Sequence, residues 1–81
     1  MRLKRSRVAL AFGETLKLAR RRRGLSQEQL ATVCNIDRTY PSLLERGLRT
    51  PSLSVLLDLA AALQIPPERL VIETSALVED S

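Results

Sequence analysis

The chain has 81 residues, with 13 Lys/Arg against 9 Asp/Glu, no histidine, one cysteine, one Phe and one Tyr. That is one small domain with an aliphatic core and little chain left for a second. A lone cysteine excludes a disulfide framework or a zinc site within one chain, and no run of 18 apolar residues is present to span a membrane.

Residues 1–49 carry a net charge of +8 and residues 50–81 a net charge of −4. A basic half beside an acidic half suggests one face directed at a polyanion; the plain alternative is a solvated basic surface. Residues 1–11 hold Arg2, Lys4, Arg5 and Arg7 and are expected to form a basic N-terminal arm. Such an arm either contacts a phosphate or minor groove or serves only as a solubilising tail. The apolar stretch at 8–12 is too short for a secretory signal core.

The domain proper is placed at 12–72. A first helix is predicted over 12–23, with Phe12, Leu16 and Ala19 on one face and the stem of Arg23 at its edge. Four arginines, Arg20 to Arg23, close it, where positive charge suits the helix dipole. They fan round the axis, so one is expected to pair internally and one or two to lie near a phosphate.

The organising stretch is 26–47. Ser26 and Gln29 have capping-box spacing, and Leu25 before them is placed as a staple. A second helix is predicted over 27–34, with Leu30, Ala31, Val33 and Cys34 inward. Asn35 tolerates the left-handed turn that follows, and Asp37 is the expected N-cap of a third helix over 38–46. Pro41 in its first turn predicts irregular backbone there, Leu44 is its inward anchor, and Gly47 ends it. Two short helices joined by a tight turn form a helix-turn-helix, whose second helix enters the DNA major groove.

A loop over 48–51 leads to Ser52, the cap of a fourth helix over 53–64 with Leu56, Leu59, Ala60 and Leu63 as its core stripe. Val55, Leu57, Ala61 and Ala62 widen its apolar surface towards a partner. Pro67 suits a first helical position, and a short fifth helix is predicted over 68–72. Residues 73–81 read as an acidic, frayed tail, although Leu77 and Val78 have the chemistry to extend a dimer contact. The expected dimer surface is Val55, Leu70, Val71 and Ile72.

From Phe12 to about Val71 the chain resembles the Cro/λ-repressor-like (XRE) helix-turn-helix family. The resemblance is carried by Phe12-Gly13, Leu16, Arg20, Gly24-Leu25-Ser26-Gln27, Leu30-Ala31, Ile36, Leu44-Glu45-Arg46-Gly47, Pro51, and Leu56 through Leu63. Asp37-Arg38-Thr39-Tyr40 with Ser42 further resembles the controller proteins of restriction–modification systems. Asn35 and Gln64 stand where the family commonly has Gly, and Pro41 stands at a usually aliphatic or β-branched position.

The resemblance implies an all-α, compact five-helix domain that binds double-stranded operator DNA as a homodimer. It implies a structural ion pair between Arg20 and Glu45, and a phosphate contact from Gln27 at the helix 2 N-terminus. Arg38 is the main base-reading residue by chemistry, since a guanidinium donates twice to guanine. Thr39 and Ser42 suit a base edge or a phosphate. Leu43 suits a thymine methyl or the core. Tyr40 offers a hydroxyl to phosphate, a ring to a base step, or cover for the domain edge. Arg49 is a second phosphate candidate, and Arg46 either binds phosphate or complements its own helix end.

Cys34 reads as a small buried hydrophobe, because a redox sensor needs an exposed, low-pKa thiol. With no His, no Cys-His or Ser-His pair, no metal cluster and no phosphate loop, an enzyme is not expected and no cofactor is called for. The leading reading is a cytoplasmic, nucleoid-associated transcription regulator. The competing reading is an antitoxin-type protein-binding module on the same fold.

Overall fold

The protein is described by a computed structural model that covers residues 6–80. It holds five helices: α1 (Arg7–Arg23), α2 (Gln27–Cys34), α3 (Tyr40–Glu45), α4 (Leu53–Leu63) and α5 (Pro67–Asp80), with no strand among the described residues. The core joins all five. Phe12, Leu16 and Ala19 come from α1, Leu30 and Cys34 from α2, Leu44 from α3, Leu59, Ala60 and Leu63 from α4, and Leu70 from α5.

Local signals account for most of the boundaries. Ser26 Oγ accepts from Gln29 N–H at 3.0 Å while Gln29 Oε1 accepts from Ser26 N–H at 2.8 Å, completing the capping box. Ser52 caps α4 by accepting from Val55 N–H at 3.2 Å. Asn35 (φ 56°) and Gln64 (φ 59°) end α2 and α4 in the left-handed region, which costs a non-glycine residue roughly 1–2 kcal/mol.

Two helices are longer than predicted. The basic arm expected through residue 11 gives way at Ser6, whose Oγ accepts from Ala9 N–H at 2.9 Å and caps α1. Ala9 and Ala11 are buried, so the inward stripe continues on small residues that carry little hydropathy signal. Residues 1–5, which hold Arg2, Lys4 and Arg5, lie outside the described residues. At the other end, the fifth helix continues past residue 72 to Asp80, where an acidic tail was expected. Leu70, Thr74 and Val78 fall at four-residue intervals, the first two buried and the third half-buried. Arg7 Nη2 donates to Val78 O at 2.9 Å, so α1 and α5 run antiparallel and extend together.

Four side chains sit differently from expectation, the first being Ala62, which joins the core instead of widening the partner-facing surface of α4. Leu70, assigned to a dimer surface, is fully buried in the core and offers nothing to a second chain. Val33, expected inward, is 61% exposed, because the buried arc of α2 runs through Leu30, Cys34 and Ala31 and Val33 falls about 60° outside it. Arg23 is exposed and adds no stem to the core.

Two glycines set the approach of α1 to α3. A Cβ at Gly13 would lie 2.6 Å from the carbonyl oxygens of both Leu44 and Glu45. One at Gly47 (φ 73°) would lie 2.7 Å from Leu10 Cδ2. The C-terminal end of α3 therefore rests directly on α1, and its orientation is set by backbone contact.

Candidate nucleic-acid interface

The helix-turn-helix is bolted together at one buried carboxylate. Glu45, its side chain 4% exposed, accepts from Arg20 Nε at 2.6 Å, from Arg20 Nη2 at 3.0 Å and from Gln27 Nε2 at 3.0 Å. Arg20 also donates from Nη1 to Leu25 O at 2.8 Å. One guanidinium and one carboxylate thus hold α1, the α1–α2 loop, the start of α2 and the end of α3 in register. The Glu45 hydrogen bond outweighs burial and holds the Arg20 pKa above its already high ordinary value. The Arg20–Glu45 pair stands as the resemblance implied. Gln27 is the surprise: its amide nitrogen is committed to Glu45, and no local spacing signals a contact across 18 residues.

The start of α3 departs from the predicted 38–46 helix. Tyr40 N–H bonds to Asp37 O at 3.0 Å in a tight turn, and regular helix begins only at Tyr40. Thr39 is the N-cap and no side chain caps α3, so the expected Asp37 cap does not form. Asp37 closes the turn ahead of the helix, accepting from Thr39 N–H at 3.0 Å and from the Thr39 hydroxyl. Those bonds, the hydroxyl's first, hold the Asp37 carboxyl below the usual carboxylate range. Pro41 fits without loss, because its absent N–H falls among the first-turn groups that have no helical partner, and its ring is buried.

Around this frame the candidate residues divide. Arg38 is open: its side chain is 78% exposed, facing Glu28 at 3.7 Å across solvent. Such a surface pair contributes roughly 0–1 kcal/mol and yields readily to a better acceptor. Thr39 is exposed, but its hydroxyl is held by Asp37. Tyr40 is half-buried against the core and covers the domain edge. Ser42 and Leu43 are half-buried, and Leu43 stands outside the core cluster. Arg46 is exposed and bonds back to Ser42 O from Nε at 3.4 Å, complementing its own helix end. Arg49 is exposed in the loop after α3.

On the α4–α5 side, Val55 is half-buried against the core while Val71 and Ile72 are more than half exposed. Leu57, read from the sequence as widening the apolar surface of α4, is 48% exposed, and the structure adds Leu53, 71% exposed, which the sequence reading did not single out. A groove of about 380 Å³ lies beside them, lined by Val8, Phe12, Pro51, Leu56, Val71 and Val78 among others.

Cys34 is buried and its thiol donates to Asp58 O at 3.6 Å. Burial, with the Asp58 charge adding, pushes the thiol pKa up, which disfavours the reactive thiolate. No cluster of three or more potential metal-binding side chains occurs among the described residues. No described helix is long and apolar enough to cross a membrane.

A family described as a helix-turn-helix domain matches residues 11–71. The chain is 37% identical over 71 residues to the immunity repressor protein of Bacillus phage phi105, covering 88% of this chain and 49% of that protein, so it spans about half of that relative's length. It is 37% identical over 65 residues to the control protein C.BamHI of Bacillus amyloliquefaciens, covering 79% of this chain and 80% of the relative. Among solved structures, the restriction–modification controller protein C.AhdI of Aeromonas hydrophila superposes with a TM-score of 0.74 at 45% identity, covering 76% of this chain and 94% of that one.

Proposed function

The chain belongs to the helix-turn-helix domain family, and from that premise we propose that it is a sequence-specific transcription regulator which binds double-stranded DNA as a homodimer, α3 entering the major groove. The observation that carries the reading is Arg38. It is a highly exposed guanidinium in the turn just before α3, on a frame held by Arg20, Glu45 and Gln27.

In this reading Arg38 leaves Glu28 for a guanine edge, where two parallel hydrogen bonds discriminate by ~1–3 kcal/mol. Thr39 and Ser42 meet neighbouring base edges or the backbone, and Leu43, outside the core, is free for a thymine methyl. The α2 N-terminus at Gln27 and the exposed Arg49 and Arg46 contact phosphate, fixing position without reading sequence. Tyr40 offers its hydroxyl from the domain edge. Two copies related by a two-fold axis present their α3 helices to half-sites about 34 Å apart. Val71 and Ile72, with Leu53 and Leu57, supply the exposed apolar surface for that pairing. The names of the relatives, an immunity repressor and a restriction–modification controller, agree with this reading. A cytoplasmic place beside the nucleoid and a non-enzymatic role follow from it.

The test is binding to DNA from upstream of its own gene against a scrambled duplex, across salt, for the wild type and Arg38→Ala. Preference for one duplex that drops by about 10- to 100-fold in the variant supports major-groove reading. Equal, steeply salt-dependent binding to both duplexes by the wild type refutes it and leaves only a phosphate-binding face.

A further inference from the structure

The antiparallel α1–α5 pair ends in a second basic feature. Ala19, Arg22 and Arg23 of α1 meet Arg69 and Glu73 of α5 around a notch of about 150 Å³, floored by Leu63 and Ile65. Arg69 Nε donates to Glu73 at 3.0 Å, which fixes that guanidinium and leaves its two terminal nitrogens for another acceptor. Arg22 and Arg23 are exposed and make no ion pair among the described residues. Three guanidinium groups face one carboxylate, above an apolar floor.

The notch does not belong to the α3 face. At about 100° per residue, Arg23, Ala19 and Arg22 lie roughly 60°, 100° and 160° round the same side of α1 from Arg20, so the notch is centred about 100° from the residue that holds α3. The floor also differs from what a phosphate requires. Ala19, Leu63 and Ile65 give the notch an apolar component, whereas a phosphate track needs only cations and N–H groups.

We propose that this notch docks an acidic peptide segment of a partner protein, with one aliphatic side chain against Ala19, Leu63 and Ile65 and flanking carboxylates on Arg22, Arg23 and Arg69. Charge complementarity selects the partner. Planar guanidiniums bind carboxylates in pairs of hydrogen bonds, and an aliphatic anchor among them covers Ile65, the half-buried part of a floor whose Ala19 and Leu63 are already buried. The site stands independently of the proposed function, because it uses none of the residues that function places on DNA; it assigns Arg22 and Arg23, of which the sequence led us to expect a phosphate contact, to carboxylates instead.

The experiment is an amide NMR titration of the isotope-labelled full chain with an acetylated, amidated pentapeptide, Asp-Glu-Leu-Glu-Asp. The expected result is saturable shifts at Ala19, Leu63, Ile65 and Arg69, with α3 unmoved. The affinity then falls about tenfold in the Arg22→Gln/Arg23→Gln double variant, and falls again when Ser replaces the peptide's Leu. Both substituted arginines are exposed, and the spectrum of the variant itself reports that the fold is kept. Absence of shifts at the notch overturns the proposal, as does equal binding of the Ser peptide or undiminished binding by the variant. Two further outcomes overturn it by naming another occupant. Notch shifts caused by a short scrambled DNA duplex and not by peptide mark a phosphate site. Notch shifts that appear on raising protein concentration alone mark a contact with a second copy.

Discussion

Replacing Gly13 by Ala reverses the usual sign of that substitution. In an ordinary exposed helix interior, Gly→Ala stabilises by up to about 1 kcal/mol. Here the new methyl would sit 2.6 Å from two backbone carbonyl oxygens of α3 and 2.9 Å from Glu45 C. Ordinary contact requires the two elements to separate by about 0.8 Å, and neither side can rotate away because the clash is with backbone. Overpacking costs ~1–3 kcal/mol, and a clash with backbone belongs at the upper end, ~2–3 kcal/mol; less a helix gain of about 1 kcal/mol, the net is a loss of about 1–2 kcal/mol. For a domain of this size that is a fall in melting temperature of ~5–15 °C. The displacement acts on Leu44 and Glu45, so the register of α3 shifts as well. Operator binding at a temperature where the variant is folded should weaken more than binding to scrambled DNA. A thermal melt by circular dichroism with a parallel gel-shift series is sufficient. An unchanged or raised melting temperature would refute the close approach and, with it, the account of how α3 is oriented.

Arg20→Ala should lower both the melting temperature and DNA binding, because it strands Glu45, only 4% exposed, without its cation; removal of one partner of such a pair costs ~3–5 kcal/mol. Weakened binding with an unchanged melt would instead make Arg20 a DNA ligand. The Asp37 carboxyl is held below its ordinary range by Thr39, so its contribution to stability is complete above about pH 4 and is lost as pH falls through the lowered folded-state value. Urea titrations of Asp37→Asn and wild type should therefore differ in pH dependence only on the acid side, and superimposable profiles would remove Asp37 as the stabiliser of the turn before α3. Gln64→Gly should raise stability by ~0.5–1 kcal/mol by relieving the left-handed cap, visible as a higher urea midpoint at constant slope; a lower midpoint would mean the Gln64 side chain has a packing role.

The division between local and long-range information runs through each of these positions. Ser26 with Gln29, Ser52, Asn35, Gly47 and Pro67 act on backbone groups within a few residues of themselves, so the sequence alone determined where α2 begins and ends, where α4 starts and where α5 opens. The inward faces were legible for the same reason, since helical spacing places Phe12, Leu16, Leu30, Leu44, Leu59 and Leu63 on one side of their helices. For the candidate site the sequence offered Arg38 by its chemistry alone, and the structure places that guanidinium in the turn ahead of α3.

Tertiary structure decided the rest. The extra turns of α1 and α5 are stable because each covers the other, a pairing between residues some 70 apart that no local window contains. Leu70 is core and Ile72 surface although both are apolar and two residues apart, because only the position of α1 says which flank of α5 is covered. Gln27 faces Glu45, and Gly13 lies beneath the end of α3, because the helices cross at those points. Capping and periodicity are interactions a chain segment has with itself, whereas coverage and crossing exist only once the helices have packed.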